Sequence, residues 1–137
     1  MIIAKRVCVV FCLAIHLALF AGCQGGSEGS VSGTVTVDGT PVSGLEVLYT
    51  PIDPAIGGSA LAYTQEGGKY TIIRGRGNTT IPTGEYKVAI KVYEEDLALE
   101  TPRVKLPNNY TSPSETELRA TVAGGQNTID FDLESAN

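Results

Sequence analysis

The segment EYKVAIKVY, residues 85–93, decides the fold class. Its apolar side chains recur at every second position, and Lys87 and Lys91 stand between them. A period of two is that of a β-strand with one buried side and one side in water. The segment therefore predicts a strand whose buried side consists of Tyr86, Val88, Ile90 and Val92.

Six further segments show the same alternation and are separated by turns rich in Gly and Pro. They are VSGTVTV (31–37), LEVLYT (45–50), ALAYT (60–64), KYTII (69–73), ELRATV (117–122) and TIDFDLE (128–134). The QEGG at 65–68 is typical of a hairpin turn between the third and the fourth of these. Seven short strands within about 105 residues favour an all-β fold, an antiparallel Ig-like β-sandwich.

The N-terminal residues 1–22 have the composition of a secretory signal peptide. Lys5 and Arg6 precede an apolar run, residues 7–21, which is interrupted only by His16 and ends in small residues. The run is shorter than the roughly 20 residues that a membrane-spanning helix needs. We therefore expect a signal-peptide helix that is cleaved from the mature chain; the alternatives are an ordinary, unlipidated signal peptide cleaved near Gly22 and an uncleaved anchor.

The residues FAGC, 20–23, resemble the lipobox of bacterial lipoproteins. In that family the cysteine receives a diacylglyceryl group and becomes the first residue of the mature chain. The resemblance implies cleavage between Gly22 and Cys23 and lipid attachment at Cys23. The segment 23–30 is rich in Gly and Ser, which predicts a flexible tether. Gln24 stands where an aspartate would retain an enteric lipoprotein at the inner membrane, which favours the outer membrane.

Charge and side-chain inventory exclude several classes of function. Without the signal peptide, eight basic residues face fifteen acidic ones, a net charge of −7. A chain this acidic binds nucleic acid poorly, so we expect no nucleic-acid partner. His16 is the sole histidine, and Cys23 would be the sole cysteine left after cleavage. Ser-His-Asp and Cys-His catalysis and His/Cys zinc sites are therefore unavailable, and we expect no enzyme and no cofactor.

Three acidic side chains alternate along the last predicted strand. Asp130, Asp132 and Glu134 would lie on one face, with neighbours about 7 Å apart. They are weak calcium candidates, because calcium takes about six to eight oxygen ligands. We favour the interpretation that they pair with Lys87 and Lys91 on a facing strand or point into water.

The longest predicted loop spans residues 94–113. A tyrosine and several carboxylates come together at its start, and a second tyrosine lies within it. An exposed tyrosine is a suitable rigid anchor for a protein or glycan partner. For the second tyrosine, we favour the interpretation that it fastens the loop to the sandwich. If the loop serves only a partner, its removal should leave the fold intact. The candidate contacts are Tyr93, Glu94, Glu95, Asp96 and Tyr110.

Two stretches resemble a known domain family. VSGTVTVDGTPVSGLEVLY (31–49) resembles the opening of carboxypeptidase regulatory-like domains, and IPTGEYKVAIKV (81–92) is similar to a later strand of that family. The segment 106–133 resembles the tail of small lipoproteins abundant in planctomycete genomes, although SETE (114–117) replaces their usual Thr-Ser-Gly. The resemblance implies a transthyretin-like sandwich without an assigned activity.

The sequence thus predicts a signal peptide (1–22), a lipidated tether (23–30), a β-sandwich (31–134) and a short tail (135–137). We expect a non-enzymatic, extracytoplasmic lipoprotein, held at a bacterial envelope membrane through its N-terminal lipid. It would present its sandwich to an envelope partner in a structural or adhesive role. The alternatives are a glycan- or calcium-binding module and an accessory subunit of a larger envelope complex.

Overall fold

The alternating segments form strands in the structure, a computed structural model that describes residues 27–93 and 104–137. Within the described residues there are ten strands, one single-turn α-helix and two 3₁₀ turns, at Pro54–Ile56 and Glu66–Gly68. All seven predicted segments contain a strand; β2, β6 and β9 are additional and short. The strands β1 to β10 are Glu28–Val37, Thr40–Pro41, Leu45–Pro51, Ala60–Tyr63, Lys69–Thr71, Thr80–Pro82, Gly84–Val92, Arg119–Val122, Gly125–Thr128 and Phe131–Leu133, and the helix α1 is Asn108–Thr111.

The long strand β1 is the spine of the first sheet. It pairs antiparallel with β6, β5 and β2 and parallel with β9 and β10. Val31, Val35 and Val37 are buried, as the alternation predicts. The two parallel strands depart from the antiparallel arrangement expected from the sequence. The reason is that β8 ends beside the start of β7, close to where β1 begins, so the returning chain runs in the direction of β1.

The second sheet has the order β4-β3-β7-β8, and every pair in it is antiparallel. EYKVAIKVY forms β7 in its interior, with Tyr86, Val88 and Ile90 buried. Lys91 is exposed on the opposite side of the strand. The all-β sandwich predicted from the sequence is confirmed.

The core lies between the two sheets and is rich in aromatic contacts. The ring of Tyr49 on β3 lies 5.8 Å from the ring of Tyr86 and 6.5 Å from that of Phe131. Tyr70 on β5 stacks on Phe131 with 6.4 Å between the ring centroids. Aromatic pairs at such distances add to the stabilisation from burial alone. Side chains of both sheets thus form one apolar cluster.

A chain of hydrogen bonds through buried hydroxyls connects the sheets. The Tyr70 hydroxyl donates to the carbonyl oxygen of Ile129 at 2.6 Å, and the hydroxyls of Tyr49 and Tyr70 are 2.9 Å apart. Because the single proton of Tyr70 is used on Ile129, Tyr49 is the donor to Tyr70. Burial raises the pKa of Tyr70 to about 12 and also raises the pKa of Tyr49. Both hydroxyls therefore stay protonated and keep this direction of donation.

Asn127 joins the two sheets near the start of β1. Its Nδ2 donates to the carbonyl oxygens of Ser30 at 3.0 Å and Ala123 at 2.9 Å, and its Oδ1 accepts from the Ala123 N–H at 2.9 Å. One side chain thus connects β1, in the first sheet, to the residue that follows β8 in the second. The hydrogen bonds of Asn127 thus fix the point at which the chain passes from one sheet to the other.

Around QEGG, the chain makes only part of the predicted hairpin, since the two predicted segments share a single antiparallel bridge between Leu61 and Ile73. β4 pairs with β3 in the second sheet, whereas β5 pairs with β1 in the first. The QEGG residues instead carry the chain between the sheets through a 3₁₀ turn at Glu66–Gly68. The predicted chain reversal is present, but the predicted continuous pairing of the two strands is wrong, because β4 and β5 each form their longer pairing in a different sheet.

The strands give the sandwich two poles. At the N-terminal pole, the Thr83 N–H donates to the Ser27 carbonyl oxygen at 2.9 Å, and the two hydroxyls are 2.9 Å apart. At the far pole lie the turn at Asp38 and the end of β7, where the Tyr93 N–H donates to the Gly44 carbonyl oxygen at 3.0 Å. β1 runs from the N-terminal pole to the far pole.

The boundaries of the tether and the loop differ from those predicted. β1 begins at Glu28, so residues 28–30 belong to the sheet and not to a flexible segment. Residues 1–26, with the predicted signal peptide and Cys23, lie outside the described residues. Among the residues that the structure does describe, no helix is long and apolar enough to cross a membrane.

Candidate functional site

The acidic row near the C-terminus lies against β1. Oδ1 of Asp130 accepts a hydrogen bond from the Thr34 N–H at 2.8 Å, and Asp132 accepts one from the Thr36 hydroxyl. Glu134 is exposed. Two of the three carboxylates thus help to join β10 and the residue before it to the spine of the first sheet.

The predicted pairing of this row with Lys87 and Lys91 is wrong, because β10 and β7 belong to different sheets. Lys91 forms an ion pair with Glu46 of β3 at 3.4 Å, and Lys87 stands opposite Thr50. In residues 27–93 and 104–137, no group of three His, Cys, Asp or Glu side chains is arranged to hold a metal ion. The geometry of Asp130, Asp132 and Glu134 therefore gives the calcium hypothesis no support.

Asp38 fastens the C-terminal end to the far pole. Its carboxylate accepts from the Ser135 N–H at 3.0 Å and from the Ser135 hydroxyl at 2.6 Å, and these hydrogen bonds lower the pKa of Asp38. Asp38 and Gly39 both have positive φ, 50° and 79°, which is the conformation of a type I′ hairpin turn. Residue 135, the first of the predicted tail, is thus held by the turn.

Two tyrosines meet at the far pole. The rings of Tyr63 and Tyr93 lie 4.5 Å apart at an interplanar angle of 57°. Tyr63 is 38% exposed, and Tyr93 is half-buried. Among the predicted contacts, Tyr93 is therefore placed on the surface beside a second aromatic ring. Glu94, Glu95 and Asp96 lie outside the described residues.

The second half of the predicted loop is part of the fold. Tyr110 lies on α1, half-buried, and packs on the core, together with Val104. Leu106 is buried as a member of the core cluster. Tyr110 thus packs as the favoured interpretation of the sequence expected. The burial of Leu106 argues against the expectation that the whole of residues 94–113 can be removed without unfolding.

A cleft opens where β4 and β5 diverge into separate sheets. Leu61 and Ile73 exchange both backbone hydrogen bonds at one end, at 3.2 and 2.9 Å, and the Gln65 N–H donates to the Lys69 carbonyl oxygen at 2.7 Å at the other. Between these two closures lies a cavity of about 500 Å³. Its size falls within the roughly 300–1,000 Å³ of small-molecule sites.

The cleft was missed in the sequence because its walls come from strands predicted to pair with each other. The available signal was a break in the alternation: Leu61, Tyr63 and Ile73 occupy the outward-facing positions of their segments, where polar residues are usual. Ile73 is 49% exposed, and Tyr63 also borders the cleft. Outward apolar residues on consecutive strands thus indicated a shared apolar surface.

The fold and these features define an all-β sandwich with an apolar cleft between its sheets. The sequence matches no family model and no curated protein. Among solved structures, it is similar to the dioxygenase domain of a dioxygenase–carbohydrate-binding protein fusion from the cellulolytic bacterium Streptomyces sp. SirexAA-E. The similarity covers 84% of each chain at 16% identity with a TM-score of 0.35, which carries no argument about function.

Proposed function

We propose that this protein is a non-enzymatic lipoprotein of a bacterial cell envelope. It would be attached through Cys23 to a membrane, the outer one. Its sandwich would present the far pole to an envelope protein. The observation that carries the proposal is the placement of the two poles. The chain enters the sandwich at the N-terminal pole, shortly after Cys23, whereas Tyr63 and Tyr93 meet at the opposite one.

The distance between the lipid and the sandwich follows from chain length. Ser27 is held by Thr83, so three residues separate Cys23 from the first residue bonded to the sandwich. A chain extends at most roughly 3.6 Å per residue, which keeps Ser27 within roughly 14 Å of Cys23. A lipid on Cys23 would therefore turn the N-terminal pole towards the membrane and the far pole away from it.

Charge supports the same orientation. The mature chain would carry a net charge of −7, and an acidic surface is repelled by anionic lipid headgroups. The sandwich therefore gains nothing by lying flat on the bilayer. Acyl chains on Cys23 would supply the membrane affinity, and several chains hold a protein far more firmly than one.

A photo-crosslinking amino acid placed at either pole tests the proposal in intact membranes. Glu66 is exposed in the turn before β5, and Ala123 is exposed at the N-terminal pole beside the end of β8. We expect Glu66 to give a defined protein adduct that is lost when Cys23→Ala is added, and Ala123 to give no such adduct. The same protein captured from both positions, or bilayer phospholipid captured from Glu66, would contradict the proposed orientation.

A further inference from the structure

We infer that the cleft between β4 and β5 binds an amphiphile that has one alkyl chain and a carboxylate headgroup. This site is separate from the far-pole contact proposed above and does not depend on it. The inference rests on the shape of the cleft, on its apolar surface and on the charge at its rim.

The shape favours a small molecule over a protein. Backbone hydrogen bonds close the cleft at both ends, between Leu61 and Ile73 and between Gln65 and Lys69. The strand between these closures spans four residues, roughly 13 Å at the rise of a β-strand. A standard protein interface involves about 20–30 residues on each side, whereas nine residues line this cleft. A medium-length alkyl chain fits such a short, closed trough.

The floor of the cleft is apolar. It is formed by Ala62 and Tyr70, which are 2% exposed each. The Tyr70 hydroxyl is turned inward, where it donates to Ile129 and accepts from Tyr49, so the ring offers carbon atoms to a ligand. An apolar chain bound there loses no hydrogen bond and removes apolar surface from water, which is favourable.

The walls of the cleft are also apolar and reach the surface of the protein. Leu61 is half-buried on the β4 side, and Ile73 is 49% exposed on the β5 side. Both side chains would be covered by a ligand lying between them.

The rim supplies one positive charge. Lys69 is exposed, and of the described residues that line the cleft it is the charged one. The two ion pairs among the described residues join Arg74 to Glu28 and Lys91 to Glu46, so the ammonium group of Lys69 is available. On a chain this acidic, a lone cation beside an apolar trough complements a single anionic headgroup. Thr71 and Gln65 add neutral hydrogen-bond donors at the same rim.

Photoaffinity labelling tests the inference on the full chain in its membranes. The probe is a fatty acid with a diazirine in its chain, and the labelled residues are located by mass spectrometry after irradiation. We expect label within residues 61–75. Excess dodecanoate should reduce it about tenfold, whereas dodecyltrimethylammonium, with the same chain and the opposite charge, and acetate, with no chain, should not.

Variants separate the cleft from general membrane partitioning. Ile73→Ser removes an exposed wall and Lys69→Glu reverses the rim charge; each should reduce the label about tenfold, the factor that about 1.4 kcal/mol of binding energy produces. Ile52→Ser is the matched control, because Ile52 is 44% exposed and does not line the cleft. Label outside 61–75, or label that persists in both variants, would overturn the inference. If dodecyltrimethylammonium competes as well as dodecanoate, the inferred preference for a carboxylate headgroup is wrong. If no label is found, the cleft does not bind this ligand in the membrane, and the inference is wrong.

Discussion

At the scale of single residues, the two buried tyrosines are not equivalent although their hydroxyls touch. Tyr70 both donates to Ile129 and accepts from Tyr49, whereas Tyr49 only donates. Removing the Tyr70 hydroxyl leaves two buried polar groups without a partner. Removing that of Tyr49 leaves Tyr70 still bonded to Ile129. A buried group without a partner costs more than a lost hydrogen bond contributes.

We therefore expect Tyr70→Phe to lower the free energy of unfolding by about 3 kcal/mol and Tyr49→Phe by about 1 kcal/mol. Urea unfolding followed by circular dichroism measures both. The two rings remain in each variant, so each serves as the packing control for the other. A larger loss for Tyr49→Phe would show that the direction of donation is the reverse of the one inferred.

Position 33 on β1 must have no side chain, which the alternation of the sequence does not reveal. The sequence places it on the valine side of β1, where a larger apolar residue would be expected to add burial. In the structure, a Cβ at Gly33 would overlap the carbonyl oxygen of Ile129 and lie 3.0 Å from the Tyr70 ring. The glycine lets the segment before β10 approach β1 closely enough to accept the Tyr70 hydrogen bond.

We expect Gly33→Ala to lower the free energy of unfolding by about 3 kcal/mol, because the obstructing atom belongs to the backbone and can move only with the strand. The thermal unfolding midpoint measures this. Gly58→Ala is the matched control, because a Cβ there meets nothing within 4 Å; it should leave stability equal or slightly higher. Equal effects of the two substitutions would argue against the close approach at Gly33.

At the scale of elements, the sequence predicts which segments are strands better than it predicts their partners. Period-two patterns around Val31–Val37 and Tyr86–Val92 predict one buried side, and the apolar residues on that side are buried in the structure except Val92, which is partly buried against the core. Partner choice depends on contacts between residues far apart in the sequence. This is why the strands on either side of QEGG were paired with each other, and why the cleft between them was not foreseen.

The acidic row shows the same limit for a candidate site. Alternation correctly places Asp130, Asp132 and Glu134 on the outward side of the last strand. It does not say which strand lies next to them, and their neighbour is the threonine side of β1, not the lysines of β7. Alternation within one strand thus predicts which of its side chains are exposed or buried. Predicting which side chains of two strands meet requires the order of the strands in the sheets.

The segment after residue 103 behaves as an element of the core. Leu106 is 8% exposed and belongs to the same cluster as the strands. We expect Leu106→Ala to lower the free energy of unfolding by about 2–4 kcal/mol, through lost burial and the cavity that remains. Lys105→Ala is the control, because that side chain is exposed and its carbonyl bond to the Ala136 N–H is kept. A Leu106→Ala protein as stable as the control would restore the view of 104–113 as a dispensable loop.

At the scale of the whole molecule, the proposal depends on the two ends of the sandwich being different. β1 leads directly from the N-terminal pole to the far pole, and the paired tyrosines and the Asp38 turn lie at its end. A lipid at Cys23 would convert this internal direction into an orientation relative to a membrane. The cleft between β4 of one sheet and β5 of the other would then remain accessible to molecules that leave the bilayer.

The intact mass of the mature protein extracted from membranes, compared between wild type and Cys23→Ala, tests this account most directly. We predict a chain that begins at Cys23 and carries a diacylglyceryl group, with or without a further acyl group, and that this form is absent from the variant. An unlipidated chain cut elsewhere, or an uncut chain, would contradict the anchor and with it the orientation of the two poles.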